Sequence, residues 1–429
     1  MPQLDPGARR AILDATVALE AEAIAALERL VRCPSTLGNE ASALDEMARN
    51  YAALGLAPRR VATVPDQLAA HPGFSPPLVS YEGRDNVVAV HQPRARAGRS
   101  LVLQGHVDVV PEGAADLWVT PPYEPAIRDG RMYGRGAGDM KAGDIANVMA
   151  FRALQMAGLQ PAAEVQFHSV IEEECTGNGA LACMLALPRC DAAIIPEPGP
   201  GFDAIYTVEV GVVWAWVTVT GRPTHVREMQ AGINAIEAAY HISRLFKEYE
   251  AEMNRAENIH PSFFGENHPV NVNFGTVQGG EWNSSVPTRA RIGLRVGVMM
   301  GNTARQVKAD IERLVERARS EDALRGARIE LEFSGFMADP CVFDQEAEIV
   351  RLTRRNFADT AGRELRDYKA AGLTDGRFFN LYQNVPVACF GPEADAIHGI
   401  DESVSLNSFH ATTRAIALTM AEWCGVEKA

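Results

Sequence analysis

The sequence predicts an α/β fold interrupted by a small α+β insertion, and three observations carry that prediction. Short apolar runs alternate with helical periodicity through the first half of the chain, the pattern of a sheet covered by helices. A β-rich stretch from Tyr206 to Thr220 then opens a segment whose strand and helix signals run β-α-β-β-α, enough for a separate unit with a half-exposed sheet. From about residue 328 the earlier alternation returns. We therefore place one domain at 1–207 and 327–429 and a lid-like insertion at 208–326. The 429 residues, 47% of them apolar, suffice for two or three domains of roughly 100 to 200 residues each.

The elements follow in order. From about residue 8 to 54 apolar residues recur at helical spacing, with a break at Cys33-Pro34-Ser35-Thr36, so two helices are expected. Asn86 to Val90, Leu101 to Leu103 and Val165 to Ile171 read as strands, and Lys141 to Met156 as a helix. In the insertion, Asn234 to Glu250 and Thr303 to Arg319 read as helices. Val270 to Val277 and Arg289 to Val298 read as strands.

Lys and Arg number 41 against 55 Asp and Glu, a formal net charge of −14, which opposes a nucleic-acid or anionic-membrane partner. No run of eighteen apolar residues occurs, and charged residues interrupt the apolar pattern of the N-terminal stretch, unlike a signal peptide. Seven cysteines are scattered without a CxxC pair and read as reduced thiols. The expectation is a soluble cytoplasmic chain.

Five places along the chain offer chemistry. The run Leu101 to Leu103 leads into Gln104-Gly105-His106-Val107-Asp108. His106 and Asp108 fall on one side of an extended backbone, so His106 can be a metal ligand while Asp108 takes the proton of its other ring nitrogen. A solvent-facing strand end reads the same way. In Tyr133-Gly134-Arg135-Gly136-Ala137-Gly138-Asp139 the glycines lack the dinucleotide spacing and instead let the backbone close on a site, delivering Asp139 just before a helix. Glu172-Glu173-Glu174 follows a strand; three adjacent carboxylates repel one another and need a cation, unless they form a solvated turn. With a metal present, one carboxylate binds it while its neighbour handles a proton. Ile194-Ile195-Pro196-Glu197-Pro198 ends another apolar run in an acid, and His398 sits in a late loop with Glu402 four residues on. All five lie at strand or loop edges, which in an open α/β sheet gather at the carboxyl ends of the strands. Two imidazoles and three carboxylates, with Asp139 shared, suit a pair of divalent ions.

Taken in order, GHVDVV, YGRGAGDMKAG, IEEECTGNG, PEP, GRPTH, AGLTDGRF and FGPEADAIHGIDE resemble the co-catalytic zinc amidohydrolases and exopeptidases. That superfamily includes acetylornithine deacetylase, succinyl-diaminopimelate desuccinylase, carboxypeptidase G and aminoacylase. The resemblance spans essentially the whole chain. It implies a zinc-exopeptidase-like catalytic domain with a mixed, mainly parallel sheet, and a lid with a small antiparallel sheet that makes a homodimer. It also implies two divalent ions, zinc or else cobalt or manganese: His106 and Glu197 on one, Glu174 and His398 on the other, and Asp139 bridging. Glu173 would be the general base, Asp108 would orient His106, and the Asp139-Met140 peptide would be cis.

His225 of GRPTH would stabilise the oxyanion in the partner subunit's site, although Val226-Arg227-Glu228 stands where relatives carry small residues. Ser284 stands where many relatives have Asn, so Asn273 or Asn283 would supply that amide. Gly372 of AGLTDGRF joins Asn273 and Ser284 as substrate-binding. Arg295 would clamp a substrate carboxylate, unless it serves a surface ion pair. The implied activity is deacylation of a small N-acyl amino acid or related carboxylate-bearing amide. Other readings are a dipeptidase or carboxypeptidase, a hydrolytic deaminase of an amino-aromatic acid, and a noncatalytic binding protein on the same scaffold.

Overall fold

The computed structural model describes residues 4–94 and 96–429. A nine-stranded sheet forms the larger unit, with the main strand order 59–62, 85–91, 165–170, 101–106, 192–195, 387–391, 204–209, 341–342; strand 366–370 pairs with 204–209. The four central strands, 165–170, 101–106, 192–195 and 387–391, run parallel, and antiparallel strands flank them on both sides.

Two-residue alternation along these strands divides the core between the two faces. Leu101, Leu103, Val165, Phe167, Ala192, Ile194, Ala388 and Phe390 face one helical layer, which includes Ala142–Met156, Glu348–Ala361 and Leu406–Cys424. Val102, Ala193, Ile195, Val387 and Cys389 face the other, formed by Asn178–Ala186 and Gly376–Gln383. Because both faces are covered, the central strands are buried along almost their whole length, as parallel sheets require.

The N-terminal region holds three helices, Pro6–Ala18, Glu20–Val31 and Ala41–Ala53, where two are expected. The additional break falls at Leu19, which packs with Ala15 against Ala153; a bend there keeps both helices on the same underlying helix. Residues 1–3, assigned to the first domain, lie outside the described residues.

The second unit is a sheet of strands Gly211–Thr220, Val272–Gly279, Arg289–Val298 and Arg328–Glu332. Val213, Ala215, Val217 and Val219 pack on the helices Ala235–Met253 and Ala304–Ser320. Asn234 caps the first helix, its side-chain oxygen accepting from the N–H groups of Ile236 and Glu237. Thr303 and Gln306 form a capping box on the second.

Two expectations need correction. The single β-rich stretch from Tyr206 is two strands in different sheets, Ala204–Glu209 and Gly211–Thr220. They part at Gly211, where a Cβ would lie 2.3 Å from the Ala338 carbonyl oxygen, so only glycine lets the chain cross. The small sheet also continues past residue 326, because Arg328–Glu332 pairs with Trp216–Thr220 and Met337–Ala338 with Val212–Val213.

Candidate active site

The four central strands place their carboxyl ends side by side, and each hands over an ionisable side chain. His106 ends its strand, Glu173 and Glu174 follow Val165–Val170, Glu197 follows Ala192–Ile195, and His398 follows Val387–Gly391. Asp139 comes from the glycine-rich turn before the helix Ala142–Met156, and the Asp139-Met140 peptide is cis. Three overlapping groups result: His106, Asp139 and Glu197; Asp139, Glu174 and His398; His106, Glu173 and Glu174. In each, the potential ligand atoms lie within 4.8 Å of one another.

Asp139 stands between the two histidines. Its Oδ1 is 3.3 Å from His106 Nε2 and its Oδ2 3.3 Å from His398 Nε2. His106 Nε2 is also 3.8 Å from Glu197 Oε1 and from Glu173 Oε2, and His398 Nε2 is 3.0 Å from Glu174 Oε2. Six side chains from five places along the sequence thus meet in one pocket.

Electrostatics follow from this crowding. Burial by itself would lower the His106 pKa, but Asp139, Glu197, Asp108 and Glu173 together push it well above the usual range. Glu174 and Asp139 raise His398 to about 11 against the cost of burial. Burial would raise Asp139, yet the imidazoles of His106 and His398, 3.3 Å away on either side, hold it below the usual carboxylate range. Burial and neighbouring acids push Glu173 and Glu197 well up.

The donor set fits divalent metals. His106 Nε2 and Glu197 Oε1 are buried with no hydrogen-bond partner among the described residues, a costly arrangement that coordination would relieve. Four carboxylates and two neutral imidazoles balance two doubly charged ions. Nitrogen and oxygen ligands of this kind suit zinc and its divalent neighbours.

The supports of the cluster were only partly expected. His106 Nδ1 bonds the backbone carbonyl of Asp108 at 2.9 Å, while the Asp108 carboxylate lies 3.6 Å away. That carboxylate instead accepts the N–H groups of Glu173 and Glu174 at 3.2 and 3.1 Å. Asp108 therefore orients His106 chiefly through its main chain, and its side chain anchors the acidic turn. Glu172 faces away from the cluster and is paired by Arg84 at 2.6 Å, with Tyr81 and Thr176 as further donors. The cation expected beside the three glutamates is, for Glu172, an arginine.

Sequence reasoning assigned no role to Arg135 or Glu402. The buried Glu402 carboxylate accepts from Arg135 Nη1 at 2.6 Å and from the N–H groups of Gly136, Gly138 and Asp139 at 3.0, 2.9 and 3.0 Å. Arg135 in turn donates to the Gly399 carbonyl at 2.9 Å. This pair joins the Asp139 turn to the His398 loop. The legible signals were an acid four residues after His398 and an arginine within a glycine turn.

A cavity of about 340 Å³ adjoins the cluster. Glu173, Glu174, His398 and Gly372 line it from the large unit, and Asn273 and Arg295 from the small one. Arg295 donates to the Ala371 carbonyl at 2.6 Å and has no carboxylate partner among the described residues. His225 and Ser284 do not line the cavity. Both are exposed near each other on the lid, where the Val226 N–H donates to the Ser284 carbonyl.

Fold and site together define a hydrolase whose cluster of His and carboxylate ligands, buried at His106 and Glu197 and open to solvent at His398, suits a pair of metals. The family comparison agrees: residues 102–422 match the model of Peptidase family M20/M25/M40. The chain belongs to that family and is a hydrolase of amide bonds. It is 28% identical over 390 residues to a succinyl-diaminopimelate desuccinylase of Acidovorax ebreus, covering 88% of this chain and 92% of the relative. It is 24% identical over 370 residues to the N-formyl-4-amino-5-aminomethyl-2-methylpyrimidine deformylase of Halalkalibacterium halodurans, covering 81% and 85%. In fold it resembles the di-peptidase Dug1p of Saccharomyces cerevisiae at 12% identity, with a TM-score of 0.79 and coverage of 98% and 99%. Among the described residues no helix is long and apolar enough to cross a membrane, and all seven cysteines are free.

Proposed function

We propose that this chain removes the acyl group from a small N-acyl compound bearing a carboxylate. The observation that carries the reading is Arg295, a cavity-lining guanidinium that donates to the Ala371 backbone carbonyl and meets no carboxylate among the described residues. Burial lowers its pKa to about 10, so it stays charged at neutral pH. A guanidinium offers five donors in a planar fork suited to a carboxylate. The desuccinylase and deformylase names of two relatives support removal of a small acyl group.

His106, Asp139 and Glu197 would hold one divalent ion and Glu174, His398 and Asp139 the other, with zinc the first choice and cobalt or manganese alternatives. Such ions, when bound, lower the pKa of water and polarise a carbonyl. Glu173 is the general base. It lies beside His106 in the cluster and also lines the cavity, so a proton accepted from water at its carboxylate can be passed to the leaving nitrogen. Arg295 positions the substrate by its carboxylate, with Asn273, its cross-strand neighbour, beside it.

A homodimer through the lid belongs to the same proposal. The strand Val272–Gly279 is an edge, hydrogen-bonded on one side only, and such edges invite pairing with a second chain. Tyr240, Val277 and Trp282 are 74%, 73% and 73% exposed nearby. A second copy would cover them and give the exposed His225 and Ser284 a route to the partner subunit's cavity. Sedimentation should show a dimer that Val277→Asp weakens; an unchanged monomer in both would remove this part.

The decisive experiment is a hydrolysis screen of the metal-reconstituted protein on N-acyl amino acids, dipeptides and amino-aromatic acids, with carboxylic acid and ammonia release read separately. Acid release with a free amine supports the deacylase. Ammonia release instead would replace it with hydrolytic deamination.

A further inference from the structure

The lid sheet turns two consecutive cross-strand rows toward the cavity. One is Trp214, Arg295 and Asn273; the next is Trp216, Gly293 and Thr276. The alternate residues on the same strand, Val213, Ala215 and Val217, point the other way into the helical layer, so the period of two puts both indoles on the cavity side. Gly293 sets how Trp216 lies. A Cβ there would come within 2.7 Å of Trp216 Cζ3 and 2.5 Å of Thr276 Oγ1, so the indole rests across bare backbone in the middle strand. The Arg291 guanidinium lies 4.5 Å from the Trp216 ring centroid and helps hold it there. Trp214 is held by Phe336, edge to face with centroids 5.4 Å apart, and Phe336 also lines the cavity. Three aromatic rings, positioned before any ligand arrives, therefore share one cavity with a guanidinium that has no carboxylate partner among the described residues.

A wall of fixed rings selects differently from a wall of leucines. Both reward burial of apolar surface, but aromatic faces and edges add a preference for a planar ring, worth roughly two- to twelve-fold in affinity. We propose that the substrate class is a ring compound: an aromatic or heteroaromatic group that packs on Trp214 and Trp216 while its carboxylate engages Arg295. This deepens the carboxylate reading above and rests on it.

The test compares benzoate with cyclohexanecarboxylate on the metal-loaded protein by calorimetry. The two share the carboxylate and the carbon count and differ in planarity and aromatic character, so any contact of the carboxylate with metal or arginine cancels in the ratio. Benzoate is expected to bind at least about three-fold more tightly. Trp214→Leu combined with Trp216→Leu should bring the ratio near one, and Trp216→Phe should keep most of it. Arg295→Gln should weaken both ligands equally and leave the ratio intact. Equal affinities in the parent, or a ratio that survives the double leucine variant, overturn the ring proposal while leaving the carboxylate reading standing. Failure of both ligands to bind the parent overturns the carboxylate reading and the ring proposal with it.

Discussion

Replacing Glu402 tests whether the metal-ligand geometry depends on a residue that touches no metal. Its carboxylate receives the Arg135 guanidinium and the N–H groups of Gly136, Gly138 and Asp139, and the Arg135 side chain is only 2% exposed. Glu402→Ala leaves that guanidinium buried without its anion, a loss of about 3–5 kcal/mol. The three stranded N–H groups each add a smaller and non-additive penalty. Against a total of about 5–15 kcal/mol for an ordinary protein, that is a large share. Glu402→Gln keeps the shape and one accepting oxygen, but its amide group turns donors toward donors, so a smaller loss is expected. Urea denaturation of the metal-free protein measures the stability term. Cobalt titration by calorimetry measures the functional one, where the Gln variant should bind about 10- to 100-fold more weakly, as is usual when an outer support of a metal ligand is lost. Parent-like denaturation midpoints and cobalt affinity in both variants would refute the reasoning.

Glu173→Gln should keep its full complement of metal, measured by elemental analysis, while turnover falls by at least about two orders of magnitude; near-parent turnover would remove Glu173 from the proton-transfer role. Metal loading at neutral pH should release protons, because the imidazoles of His106 and His398 are held protonated by their acidic neighbours and must be neutral to coordinate. Calorimetry in two buffers of different ionisation enthalpy would count them, and a count of zero would contradict the electrostatics. Burial, against the opposing pull of Thr374 and Arg377, raises Glu209 to about 8 from 4.5. Between those values the folded chain keeps a proton that the unfolded chain has lost, so this group makes stability fall as pH rises, by up to about 1.4 kcal/mol per unit. Glu209→Gln should therefore stabilise the protein more at pH 8 than at pH 5, and an equal effect at both would disprove the assignment.

Some of this molecule was legible one residue at a time. The strand Arg289–Val298 and the helix Ala142–Met156 show themselves because burial of one or both faces imposes a period on the residues. The metal-ligand candidates announced themselves differently: His106, Glu174 and Glu197 are placed where apolar runs end, a position that costs energy unless something compensates, while Asp139 follows a glycine-rich turn and His398 lies in a late loop. Less visible was the part played by Glu172. Its Arg84 partner lies 88 positions away, and no local pattern distinguishes an acid that faces a cluster from one that turns its back on it. The break at Gly211 was hidden for a similar reason, since alternation continues through it and only the nearby Ala338 carbonyl separates one strand into two.

The sequence by itself determined which side chains could carry the chemistry and roughly which elements hold them, because periodicity and residue type are local properties written into consecutive positions. Tertiary structure decided how they combine: that Asp139 sits between two histidines, that Asp108 holds the acidic turn with its carboxylate and His106 with its carbonyl, and that Glu402 clasps two loops through Arg135. Those outcomes depend on distances between residues up to 267 positions apart. Such distances arise from how whole layers pack, which a linear pattern does not encode.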